Sequence, residues 1–220
     1  MPEAKRMVLN VLALRERAMV SAPELASRLG VSATIIYKLE TGKGNPRLSS
    51  VLRIALELGV LLHTRPRDIL RELIPPETLS AVDDIYTRSI ELIAEPRSYK
   101  GSYRAKRRFL QQAAAVDEVE RDTNEISLVR LQELFAKTFL TRTNLADLTG
   151  ISPRRLGDLF DLNSSNTGSL ALWTFLRLVA ALAPARESTV AETMFYVLED
   201  ELRRFDQLFE ERRQEPPEGR

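Results

Sequence analysis

Between residues 33 and 47 the chain carries Ala33, Thr34, Tyr37, Lys38, Thr41, Lys43, Asn45 and Arg47, with only Glu40 as an acid among them. Ammonium and guanidinium groups on such a short segment suit phosphate oxygens, and hydroxyl, amide and methyl groups beside them suit base edges. The apolar positions Ile36 and Leu39 recur at helical spacing. They turn Ala33, Thr34, Tyr37 and Lys38 to the outer face of one helix. The run Lys43, Gly44, Asn45, Arg47 follows as a loop whose backbone amides and cations suit phosphate.

Those residues depend on the elements in front of them. Residues 7–19 read as a helix. Ser21 is an N-cap with Glu24 three positions on, the pattern of a capping box. That second helix stops at Gly30, since glycine takes the left-handed stop without penalty. Ser32 caps the third helix, which runs to about Thr41. Gly30-Val31-Ser32 is then a tight turn, with Leu25, Ala26, Leu29, Ile36 and Leu39 as its interior. A fourth helix starts near Ser49.

No run alternates apolar and polar residues as a strand would, so the chain reads as all-α. Residues 1–75 form one domain, 76–126 a helical segment and basic linker, and 127–213 a second domain ending in a long amphipathic helix. Residues 214–220 are a disordered tail. Pro75-Pro76 precede a helix from Glu77 to about Ala94, and another spans 105–122. The linker cations Arg97, Lys100, Arg104, Lys106, Arg107 and Arg108 have no acid between them. They fit a solvated connector or a phosphate-contacting arm.

The net charge of +1 hides an uneven spread: residues 1–75 hold twelve Lys/Arg against seven Asp/Glu, and the remainder is net acidic. The basic surplus lies with the motif, as a polyanion partner requires. The absence of cysteine excludes disulfides, thiolate metal sites and a cysteine nucleophile. His63 is the only histidine and lacks a carboxylate cluster for zinc. Asp83-Asp84 reads as a solvated helix face. No nucleophile elbow or glycine-rich phosphate loop is present, so neither an enzyme nor a cofactor is expected. No apolar run approaches the roughly 20 residues that cross a bilayer, and the N-terminus lacks a signal peptide. The expected location is cytoplasmic, with no membrane partner.

Sliding the sequence by 120 positions lays Val11 on Leu131, Leu14 on Leu134, Ser21 on Thr141 and Leu25-Ala26 on Leu145-Ala146. Gly30-Val31-Ser32 falls on Gly150-Ile151-Ser152, and Ile36 and Leu39 fall on Leu156 and Leu159. After the loop Asp161–Ser169 the offset becomes 124, and Ile54 meets Leu178. Matching caps, glycine and turn make this an internal repeat. The second segment offers Arg142, Arg154 and Arg155 to DNA, but Asp158 and Gly157 oppose that role. Contact with DNA and a packing relic both fit it.

The string "ELASRLGVS…I…LE.GK..P" resembles the helix-turn-helix domain of the lambda-repressor and Cro type, the xenobiotic-response-element family, over residues 8–60. Residues 128–183 resemble it less closely. The resemblance implies two such helical domains and a cytoplasmic regulator of transcription that binds double-stranded DNA, a repressor of phage, plasmid or stress genes. It puts base-reading roles on Ala33, Thr34 and Lys38, where the family often has glutamines at the first two positions. It puts phosphate contacts on Thr41 and Lys43. Ser32, Tyr37, Asn45 and Arg47 complete the expected DNA-facing set. It also implies an internal ion pair at Arg15 and Glu40, whose counterparts are Phe135 and Phe160. Those two rings are expected to touch.

Met194, Leu198, Leu202, Phe205 and Phe209 line one stripe of a helix from Ser188 to Arg212. The stripe fits docking onto its own chain or the seam of a homodimer, in which two reading heads share one operator. Trp173 and Phe175 are expected to pack the second domain. An antitoxin or adaptor whose second domain binds a protein partner is the alternative reading.

Overall fold

The structure is a computed structural model that describes residues 7–94, 126–138, 140–160 and 170–214. The basic linker, the helix expected over 105–122, the loop 161–169 and the tail beyond Gln214 lie outside the described residues. The described residues form helices, with one isolated bridge and no strand. Chain contacts divide into two units. Unit 1 holds residues up to Ala81, together with Ala171–Trp173 and the chain from Asp200 onward. Unit 2 holds Val82–Leu170 and Thr174–Glu199.

Unit 1 opens with α1 (Val11–Arg17), α2 (Ala22–Leu29) and α3 (Ala33–Glu40). Then come α4 (Leu48–Leu62), α5 (Pro66–Leu73) and α6 (Pro76–Ser80). The Ser21 hydroxyl caps α2 by accepting the Glu24 N–H at 3.2 Å. Gly30 ends it at φ 65°, where the Val31 N–H reaches the Ala26 carbonyl at 2.9 Å. The core that these helices enclose is aliphatic, with Val11, Leu25, Ile36, Leu48, Val51, Leu58, Ile69 and Leu70 fully buried. Full burial of each such side chain stabilises by about 1.5–3 kcal/mol against exposure. The N-terminal segment is tied down by the Asn10 N–H to the Leu73 carbonyl and by the Thr78 hydroxyl to the Val8 carbonyl.

Unit 2 contains α7 (Asp83–Ala94), α8 (Val129–Lys137), α9 (Arg142–Thr149) and α10 (Pro153–Leu159). Most of α11 (Leu172–Leu182), a 3-10 turn (Ala183–Arg186) and α12 (Val190–Val197) complete it, and α13 (Glu199–Gln214) follows. Thr141 and Asn144 form a reciprocal capping box on α9. Gly150 closes α9 at φ 64°, and Ser152 caps α10 ahead of Pro153. The Ser89 hydroxyl donates to the Ala181 carbonyl at 2.5 Å, so α7 is pinned inside its unit.

Four expected elements differ. The first helix, expected over residues 7–19, spans only Val11–Arg17, between Asn10 and Ala18 as its caps. The single helix from Glu77 to Ala94 is two helices parted at Ala81-Val82, because Ala81 caps α6 and α7 restarts at Asp83. The single helix from Ser188 to Arg212 is also two. Thr189, not Ser188, caps α12 with Glu192 in a capping box, and Leu198 leaves helical geometry before α13 begins. Ser32 is the N-cap of α3 by backbone conformation, yet its hydroxyl makes no capping bond.

Candidate nucleic-acid interface

Helix α3 buries Ile36 and Leu39 and exposes Thr34, Ile35, Tyr37 and Lys38, while Ala33 is half-buried. A short helix with a buried and an open edge presents the open edge as a rigid row of side chains. Arg53 of α4 fixes the entry to this helix, its Nη2 donating to the Leu29 carbonyl at 2.7 Å. That bond satisfies a carbonyl that the end of α2 leaves without a helical partner.

Across α3, Arg15 Nε donates to Glu40 Oε1 at 2.5 Å, with a longer second contact from Nη2 to Oε2 at 3.5 Å. The side chains are 16% and 8% exposed. The hydrogen bond to Glu40 holds the Arg15 guanidinium above its ordinary pKa, against the opposing effect of burial. Glu40 is thus turned inward and its charge is neutralised, so it does not set a negative field on the open face of α3.

The loop behind α3 is equally defined. The Thr41 hydroxyl donates to the Tyr37 carbonyl at 2.8 Å, Gly42 is left-handed at φ 65°, and the Lys43 N–H returns to the Lys38 carbonyl at 2.9 Å. Gly44 sits against the helix end, where an added Cβ would lie 3.2 Å from Leu39 Cδ2. Lys43, Asn45 and Arg47 are exposed, and Arg47 is the backbone N-cap of α4. The loop therefore carries Lys43 and Arg47 in a fixed backbone adjoining the open face of α3.

Asn45 has a further engagement. Its side-chain carbonyl accepts the Trp173 N–H at 3.3 Å, the Pro46 carbonyl accepts the Leu172 N–H at 2.8 Å, and Arg47 forms an antiparallel bridge with Ala171. These residues all belong to unit 1. Trp173 therefore groups with unit 1, while Phe175 is buried in unit 2.

Sequence reasoning left Ile35 unassigned. It is 44% exposed and, with Val31, Leu39, Pro46 and Ile54, lines a cleft of about 310 Å³ beside α3. The available signal was a third apolar residue next to Ile36, more than one helix edge can bury.

In unit 2, α9 ends at the left-handed Gly150 and the chain turns through Ile151-Ser152 into α10. Arg142, Arg154 and Asp158 are exposed there, and Arg155 is half-buried. Phe135 and Phe160 stack with centroids 4.6 Å apart and planes 17° from parallel. Arg177 lies over the end of α9, its Nη2 only 2.6 Å from where a Cβ on Gly150 would stand. Burial lowers the Arg177 pKa below its ordinary value. His63 is exposed and ends α4 in a left-handed conformation at φ 52°.

A family model described as a helix-turn-helix domain matches residues 12–67. Residues 12–67 are therefore similar to a helix-turn-helix domain, a module that suits a DNA-binding regulator. No curated protein and no solved structure matches the chain. Among the described residues no helix is long and apolar enough to cross a membrane.

Proposed function

We propose that the protein is a sequence-specific regulator of transcription, of the lambda-repressor and Cro type, which reads double-stranded DNA through α3 and represses by occupying an operator. The observation that carries this reading is the two-sidedness of α3. One edge is packed and ion-paired, and the other opens Thr34, Tyr37 and Lys38 beside a phosphate-type loop. Lys38 reads guanine, Ala33 and Thr34 meet thymine methyl groups with Ile35 beside them, and Lys43 and Arg47 hold phosphates. Ser32, Thr41 and Asn45 complete the surface. The Arg15–Glu40 pair supports the subfamily.

The second helix-turn-helix is a diverged repeat of the first in this reading. Its support is the match of roles at matching positions. Phe135 and Phe160 stack where Arg15 and Glu40 pair, and Arg177 lies beside Gly150 at the end of α9 where Arg53 bonds Leu29 at the end of α2. Arg142 and Arg154, with Arg155, give it the cations of a second reading head. Two heads on one operator are supplied by a homodimer or by the two motifs of one chain.

Selection of duplexes from a random pool by the full chain, followed by footprinting, tests the function. Enrichment of one motif supports it. Uniform or absent retention at low ionic strength refutes sequence-specific reading.

A further inference from the structure

The edge formed by Asn45, Pro46 and Arg47 follows α3 directly and presents main-chain groups outside any helix. An unpaired edge of this kind attracts another chain segment. In this chain it is filled by residues 171–173, through Leu172 N–H to the Pro46 main-chain carbonyl, Trp173 N–H to the Asn45 side-chain Oδ1, and the Arg47–Ala171 bridge. At the repeat offset of 124, Ala171, Leu172 and Trp173 are the counterparts of Arg47, Leu48 and Ser49. A residue joined to its own counterpart is the pairing that two molecules make in a self-complementary contact.

We infer that residues 171–173 take, in cis, the place on this edge that a second molecule would otherwise fill, so that one chain rather than a homodimer is the unit that engages DNA. The inference rests on the repeat and on the DNA-reading role proposed above. A second observation supports it independently. Met194, Leu198, Leu202, Phe205 and Phe209, the stripe that would make a dimer seam, are each no more than 2% exposed within the single chain. That surface is already spent on the chain's own packing. The cis segment also braces the phosphate loop: Asn45 acts as a positioning residue for Lys43 and Arg47, through the backbone it holds.

Amide hydrogen exchange tests this without DNA. Leu172 and Trp173 are the first two residues of α11, and first-turn amides have no intrahelical acceptor. Their protection therefore reports the contact with Pro46 and Asn45. Both amides should be protected to the same extent at every protein concentration. Asn45→Ala should lower Trp173 protection roughly five- to tenfold and leave Leu172 protected, because one hydrogen bond is lost. Sedimentation should show one species of 24.9 kDa, and native mass spectrometry one chain per selected duplex. Protection that rises with concentration, a dimer in sedimentation, or two chains per duplex overturns the inference. Failure to bind any duplex refutes the proposed function, while exchange and sedimentation still decide this one.

Discussion

In the repeat proposed above, the Phe135–Phe160 stack stands where Arg15 and Glu40 pair, and exchanging the two pairs yields a quantitative expectation. Glu40 is 8% exposed and Arg15 16% exposed, so removing either partner strands a charge that water reaches poorly. Breaking a buried pair from one side costs about 3–5 kcal/mol; the residual exposure of Arg15 brings Glu40→Ala down to about 2–3 kcal/mol. For a chain of this length that loss lowers Tm by roughly 4–12 °C. Arg15→Phe strands Glu40, the more buried partner, and also deletes a 3.5 Å contact from Arg15 Nη1 to the Val20 carbonyl, so its loss is at least as large. Combining Arg15→Phe with Glu40→Phe installs the pair that unit 2 holds stacked at 4.6 Å. Replacing an ion pair by packed apolar groups is close to neutral, so the double variant should unfold within about 1 kcal/mol of the parent. Urea denaturation of the two single variants and the double variant gives the coupling directly. Additive losses, with the double variant as unstable as the two singles together, would refute the structural equivalence of these two positions.

Further expectations follow from the same geometry. Lys38→Ala should relax preference at one base pair and cost about 1–3 kcal/mol there, read by binding to single-base operator variants. Lys43→Ala should weaken all duplexes alike and reduce the salt slope by about one, read by titration across ionic strength. Gly59→Ala should destabilise by about 1–3 kcal/mol in thermal unfolding, since its Cβ would stand 2.7 Å from the Thr64 carbonyl oxygen, a backbone atom. The Glu192 carboxylate, held below its ordinary pKa by the Thr189 N–H and hydroxyl, should stabilise α12 fully above the unfolded carboxylate pKa. That contribution should fade as pH falls through the lower folded value, followed by carboxyl NMR.

What the sequence disclosed was what local physics decides. Ser21 and Gly30 bound α2 by a cap and a left-handed stop, each set by one residue. The apolar spacing of Ile36 and Leu39 chose which edge of α3 is open. Breaks at Ala81-Val82 and Leu198 were illegible because no glycine or proline marks them; tertiary packing selects those turns. The engagement of Asn45 by Trp173 is likewise invisible locally, since it joins residues 128 positions apart. Ile35 escaped because a helix wheel assigns apolar residues inward, whereas a short helix has only one edge to bury.

The most direct measurement places a photo-crosslinking side chain at Thr34, at Lys43 or at Met19, the last 91% exposed in the turn after α1, and irradiates each protein with its selected duplex. Crosslinks from positions 34 and 43 but not from 19 agree with α3 and its loop lying on the DNA. Crosslinks from 19 alone, with none from 34 or 43, contradict it.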